Sequence, residues 1–263
     1  MMKHYLTNLG FAMAFILLLA ACGQGDAGKP TATVQAELTG PNANLSNTEL
    51  LRLAETNMRA LTSYHMEVKG GFPGDSLFPP GMAMAGDVSS AKGSRYTFSM
   101  GADRVDYLVT TNGIYLSYDG GKSWTQPSVD TPQGYLVSGF SRIWNSEGTG
   151  SITSLAFDEG SPAVEVIDGV PTRHLVLSAV QPGNPPGGGV PYGNMGAKSF
   201  SIWVSAGSNP DVRQMQIKGE RAASTDAGTA AVATPYDVTW TWSHFNEDFG
   251  EVKPPPTETV KQP

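Results

Sequence analysis

Along most of the chain apolar and polar side chains alternate one for one, which is the pattern of strands with one buried and one wet face. Tyr64, Met66 and Val68 alternate with His65, Glu67 and Lys69, and Tyr96, Phe98 and Met100 with Arg95, Thr97 and Ser99. Val105, Tyr107 and Val109 run into the turn Thr111-Asn112-Gly113, after which Ile114, Leu116 and Tyr118 continue. Further strands are expected at 164–167, closed by the Asp168-Gly169 turn, and at 174–178, 200–204 and 212–217. The last is long: Tyr236, Val238, Trp240, Trp242 and His244 alternate with Asp237, Thr239, Thr241 and Ser243. These read as meander hairpins.

Two segments carry a helical period instead. Ser46-Asn47-Thr48-Glu49 is a capping box, and Leu50, Ala54, Met58 and Leu61 follow on one face, predicting a helix over about 46–62. A second helix is predicted to open at Thr131 with Pro132 at its first position, to bury Leu136, Phe140, Ile143 and Trp144, and to stop at Gly148. The fold class is therefore α+β: about eight strands in a single antiparallel sheet with helices against one face. The Pro- and Gly-rich 181–198 and the small, polar 219–234 are expected as surface loops. Residues 72–84 hold Phe72, Leu77, Phe78, Met82 and Met84, apolar for a connection, and a short strand from Met84 to Val88 is an option there. No repeat of fixed period is present, which removes solenoids and propellers.

Composition narrows the function classes. Charged residues are 16% of the chain and the net charge is −7, or −8 once Lys3 is removed with the leader described next, so no basic surface exists for phosphates and nucleic acid is excluded as a partner. The single cysteine rules out a disulfide framework, a CxxC pair and a cysteine-built metal centre.

That cysteine has a position with meaning. Residues 1–21 carry Lys3, an apolar run at 11–19 and then Ala20 and Ala21, the three regions of a secretory signal that is removed. Leu19-Ala20-Ala21-Cys22 resembles the bacterial lipobox, which implies diacylglycerol on the Cys22 thiol and cleavage ahead of it. Two or three acyl chains anchor a protein stably, each buried methylene contributing about 0.8 kcal/mol. The organisation expected is a signal at 1–21, a flexible tether at 22–45 from acylated Cys22, a domain at 46–253 and a tail at 254–263, outside the cytoplasm on an envelope membrane.

Catalytic patterns are missing from the sequence. There is no GxSxG elbow, Walker loop, HExxH or DxDxDG loop, no cofactor site is read, and His65, His174 and His244 lie in separate strands and are expected to face solvent. One motif speaks for an enzyme: Ser117-Tyr118-Asp119-Gly120-Gly121-Lys122-Ser123-Trp124 looks like the Asp-box of sialidase-type propellers. Physically it is a turn, with Asp119 capping backbone amides, Gly120 and Gly121 supplying positive φ and Trp124 packing beneath, and one copy cannot build blades.

A broader resemblance covers about 46–253. The order of the first helix and strand, DVSSAKGSRYTF at 87–98, YLVTTNGIYLSYDGGKSW at 107–124, the Thr131-Pro132 helix, VEVIDGVPTRHLVL at 164–177, SIWVSAGSNPDVRQMQIKG at 201–219 and VTWTWSHFNEDFGEVKPP at 238–255 resembles the LppX/LprAFG lipoproteins of the mycobacterial envelope and, more distantly, the LolA/LolB/RseB-like fold. The resemblance implies a half-barrel: a curved antiparallel sheet with helices on its concave face, around an apolar cavity for acylated lipids, in proteins that move or present lipids. The 181–198 and 219–234 loops depart from that pattern.

The residues themselves point the same way. Tyr64, Met66, Val68, Tyr96, Phe98, Met100, Tyr107, Val109, Leu116, Trp240 and Trp242, with Phe140 and Trp144 from the second helix, give one face of large apolar side chains suited to a lipid or other amphiphile. The same residues would also serve as a packed core against the helices. Two helices leave much of such a face uncovered, which favours a cavity. The alternatives are a ligandless sensor or scaffold of RseB type and a carbohydrate-active enzyme built on the Asp-box.

Overall fold

Ser46 caps α1 (Asn47–Ala60), the one α-helix among the described residues: its side chain accepts from the Glu49 amide while the Glu49 carboxylate accepts from the Ser46 backbone at 3.1 Å, the capping box expected. The structure is a computed structural model that describes residues 37–75, 78–127, 157–158, 163–177, 196–222 and 233–261. The helix predicted at 131–148 lies outside the described residues. Leu50, Leu51, Ala54 and Met58 of α1 are buried, and Arg59 and Glu55 pair across one turn at 2.7 Å.

The other elements among the described residues are a 3-10 turn at Thr257–Thr259 and twelve strands: β1 (Ser63–Lys69), β2 (Met82–Ser89), β3 (Gly93–Met100), β4 (Asp103–Thr110), β5 (Gly113–Ser117), β6 (Trp124–Thr125), β7 (Ala163–Ile167), β8 (Val170–Val176), β9 (Ala197–Ser205), β10 (Val212–Ala222), β11 (Ala233–Ser243) and β12 (Val260–Lys261). They make one open, curved sheet in the order β12-β6-β5-β4-β3-β2-β1-β11-β10-β9-β8-β7. Strands β1 to β6 run outward as one meander. β7 to β11 run back as a second, so that β11 closes against β1. Every pairing is antiparallel except β12 with β6.

Twelve strands replace the eight or so expected, for identifiable reasons. β2 takes in Met82–Ser89, where Ala83, Ala85 and Gly86 have little strand propensity of their own and are held by full pairing with β1 and β3 on either side. β6 and β12 are two residues each, too short to leave a periodic signal. The β7–β8 turn is the one read from sequence, with Asp168 and Gly169 both at positive φ, 48° and 77°, as a two-residue hairpin of this type requires.

Helix α1 packs on β9 and β10. Its N-terminal end is tied down by Arg173 of β8, whose guanidinium donates to the Leu45 and Ala43 carbonyls, both at 2.6 Å, and to Asn47 Oδ1 at 3.1 Å. Arg173 thus marks the face of the sheet that carries α1, here called the inner face. Within the stretch expected as a tether, Asn42 donates from its backbone to Ala206 and from its side chain to the Gly207 carbonyl at 2.6 Å. Within the expected tail, β12 pairs with β6.

Candidate functional site: the inner apolar face

Strand register builds this face row by row. Val105, Phe98, Met84, Val68, Trp240, Met215, Ile202 and Leu175 stand opposite one another across eight consecutive strands, from β4 to β8. A second row runs Leu116, Tyr107, Tyr96, Gly86, Met66, Trp242. A third places Tyr64 beside Val88 and continues through Ser94 to Val109 and Ile114. Since side chains alternate between faces, every one of these residues lies on the side that carries α1.

All eleven candidate residues within the described chain therefore share one face: Tyr64, Met66, Val68, Tyr96, Phe98, Met100, Tyr107, Val109, Leu116, Trp240 and Trp242. Phe140 and Trp144 lie outside the described residues. Most of the eleven are buried, with Met66, Val68 and Trp242 at 0% exposure, while Met100, at the end of β3, is 46% exposed and stands at the margin. Sequence reasoning left out of the site Met84, Met215 and Ile202, which complete the first row, and Phe200 and Ile217, which are register partners on the same face. The last four sit on segments read as strands, but which of their faces turns inward depends on partners that the sequence does not name.

The polarity of the face is low, and the phenols report it. Burial, with Tyr96 close by, pushes the Tyr64 hydroxyl far above its usual range. Burial followed by the Tyr118 charge takes Tyr107 up to about 12, and burial raises Tyr236 as well. Phe98 and Tyr107 lie 4.7 Å apart between centroids, and Phe72 meets Tyr236 edge-on at 5.1 Å. Two glycines make the room: Tyr96 lies over Gly86 and Tyr236 over Gly219, where a β-carbon on either glycine would run into the ring.

The outer face carries paired charged side chains. His65 pairs with Asp87 at 2.7 Å and His244 with Glu247 at 3.1 Å. His174, expected to face solvent, is half-buried. It stacks on Trp203 at 4.2 Å and 11°, and Glu165 bridges the two, meeting His174 Nδ1 and accepting from Trp203 Nε1, both at 2.9 Å. The cause is an indole on the outer face that needs cover. Among the described residues no three His, Cys, Asp or Glu side chains are grouped to hold a metal ion.

The Asp119 segment is the turn device read from sequence. Its carboxylate accepts from the Lys122 and Ser123 amides at 3.0 and 2.9 Å and from the Ser123 and Ser117 hydroxyls, and Trp124 donates to the Gly121 carbonyl at 3.1 Å while its ring is buried. Gly120 and Gly121 take φ of 71° and 87°. Four hydrogen bonds from its own loop converge on the Asp119 carboxylate, as a turn-building residue requires.

No protein-family model matches the chain, and no curated protein matches it. Among solved structures it is similar to lipoprotein LppX from Mycobacterium tuberculosis, at 19% identity over 79% of this chain and 100% of that one, with a TM-score of 0.49. It is also similar to LprF from Mycobacterium bovis (12% identity, 79% and 96% covered, TM-score 0.47) and to a LolA superfamily protein from Nitrosomonas europaea (11% identity, 81% and 96% covered, TM-score 0.26). These are the proteins that the sequence resembles. At such identities and scores the likeness concerns fold alone.

Chemically the inner face offers dispersion contacts and exclusion of water, with aromatic rings and thioethers that adapt to an irregular apolar partner. Among the described residues it presents no nucleophile paired with a base. Among the described residues no helix is long and apolar enough to cross a membrane.

Proposed function

We propose that this chain is an envelope lipoprotein, anchored through acyl chains on Cys22, that binds a lipid or another amphiphile against the inner face of its sheet and serves to carry or present it. The observation that supports this reading most is the eight-strand row from Val105 to Leu175, an apolar belt far wider than the β9–β10 region on which α1 packs. A continuous apolar belt of that extent matches the chemistry of an acyl chain. The lone cysteine at the lipobox offset supports the anchor, and with it a place outside the cytoplasm.

Titration with cis-parinaric acid, whose fluorescence rises in an apolar site, tests the binding step. Saturable binding that Leu116→Trp weakens supports the reading, because an indole at Leu116 would fill space beside Tyr107 in the second row. A second reading, a ligandless sensor or scaffold, is favoured by the complete burial of Met66, Val68 and Trp242. It expects no saturable signal and a stability loss from Leu116→Trp of about 1–3 kcal/mol, as overpacking of a filled core costs.

A further inference from the structure

A cavity lies apart from the rows described above, where the C-terminal end of α1 meets the loops after β9 and β11. It encloses about 600 Å³, within the range of small-molecule sites, and is lined largely by side chains that hydrogen-bond. Its walls are fixed by bonds to backbone groups, which also decide how the amides point. Asn57 donates through Nδ2 to the Pro210 carbonyl at 2.7 Å, so its Oδ1 is left as an acceptor. Asn246 accepts through Oδ1 from the Thr62 amide at 3.0 Å and from the Thr62 hydroxyl at 3.1 Å, so its Nδ2 is left as a donor. Asn209, also lining the cavity, is exposed and adds one group of each kind.

The charged side chains of the cavity are paired in place. The Arg213 guanidinium donates to both Asp211 oxygens, at 2.6 and 3.1 Å, and stacks over the Phe245 ring at 4.7 Å, while Glu247 meets His244. An anion would have to compete with Asp211 for Arg213, and a cation would find Asp211 already paired. Two lining residues, His244 and Asn246, hold left-handed backbone at φ 52° and 58° without being glycine, a strained conformation of the kind that gathers at binding sites. Fixed donors and acceptors side by side, charged groups already engaged with one another and an apolar patch from Leu61 and Phe245 are the complement of vicinal hydroxyl groups on a carbon ring.

We propose that this cavity is a binding site for a neutral saccharide, either free or as the head of a larger amphiphile; it does not depend on the lipid reading of the inner face. The test is saturation-transfer NMR on the full-length protein held in an amine-oxide detergent, which carries no sugar, with glucose, mannose and maltose as probes. At least one of the three is expected to receive saturation, with affinity at least tenfold weaker in Asn209→Leu, an exposed change that breaks no hydrogen bond, and in Ala60→Trp, which fills the cavity from α1. Inorganic phosphate at equal concentration is expected to leave the signal unchanged. Equal affinities for maltose and dodecyl maltoside would identify a free-sugar site, and a tighter maltoside a sugar borne on a chain; both uphold the proposal. Absence of transfer to all three sugars, displacement by phosphate, or undiminished binding in both variants would overturn it.

Discussion

Tyr236 lies across Gly219 of the neighbouring strand, its hydroxyl 2.6 Å and its ring carbon Cζ 2.7 Å from the point where a β-carbon on Gly219 would stand. The two residues are register partners in β10 and β11, so the missing side chain on one strand is the space that the ring on the other occupies. Gly196 closes the same space with its backbone carbonyl. Gly219→Ala is therefore expected to destabilise the protein by about 1–3 kcal/mol, as overpacking does. Combining it with Tyr236→Phe should recover part of that loss, because the hydroxyl is buried without a hydrogen-bond partner. Urea midpoints of the single and double variants measure both effects; full recovery would mean that the Gly196 carbonyl imposes no limit.

Arg173 joins the inner face to α1, and its loss should be felt at the helix start. The substitution Arg173→Leu removes three hydrogen bonds to Ala43, Leu45 and Asn47 and leaves their oxygens in a poorly solvated place. A cost of roughly 2–4 kcal/mol is expected, with Arg173→Lys recovering little, since an ammonium cannot span the acceptors as the planar fork does. Thermal unfolding of the three proteins checks this, and hydrogen exchange should show the extra opening concentrated in α1.

The Asp119 loop is predicted to be acid-sensitive in one direction only. Hydrogen bonds from Ser123, first through its hydroxyl and then its amide, and from Ser117 hold the Asp119 carboxyl well below the usual carboxylate range. A lowered acid pKa means that the stabilisation is complete above the ordinary value and is lost as the pH falls below it toward the folded value. Amide exchange at Lys122 and Ser123 should thus be insensitive to Asp119 between pH 5 and pH 7 (roughly, from the ordinary aspartate range) apart from the intrinsic rate, and protection should fade under stronger acid. In Asp119→Asn, protection should be lower at neutral pH and show no such acid step.

How much of this was legible in the sequence follows from the kind of signal each part leaves. Alternation marked β1, β3, β4, β5 and β11, and the capping box marked α1, because those signals are local. β2 leaves in the sequence only an apolar connection with a strand option at Met84–Val88, since Ala83, Ala85 and Gly86 become a strand only through partners on both sides. The candidate face was legible for residues on strongly alternating strands. It was incomplete at Met215, Phe200 and Ile202, whose inward direction is set by pairing across β9 and β10. Arg173 and the Trp203–His174 stack left no trace at all: a buried arginine and an outward indole contradict the usual pattern and are explained only by what packs against them.

The central claim is that the inner face holds an acyl-chain ligand, and lipid recovered with the protein tests it most directly. Cys22→Ser should remove acylation and release protein that can be purified without detergent, after which organic extraction and mass spectrometry report what the protein carries. The prediction is a lipid or other long-chain amphiphile near one molecule per chain, sharply reduced in a Leu116→Trp variant that still folds. A folded, detergent-free protein that carries nothing, and that Leu116→Trp only destabilises, would contradict it.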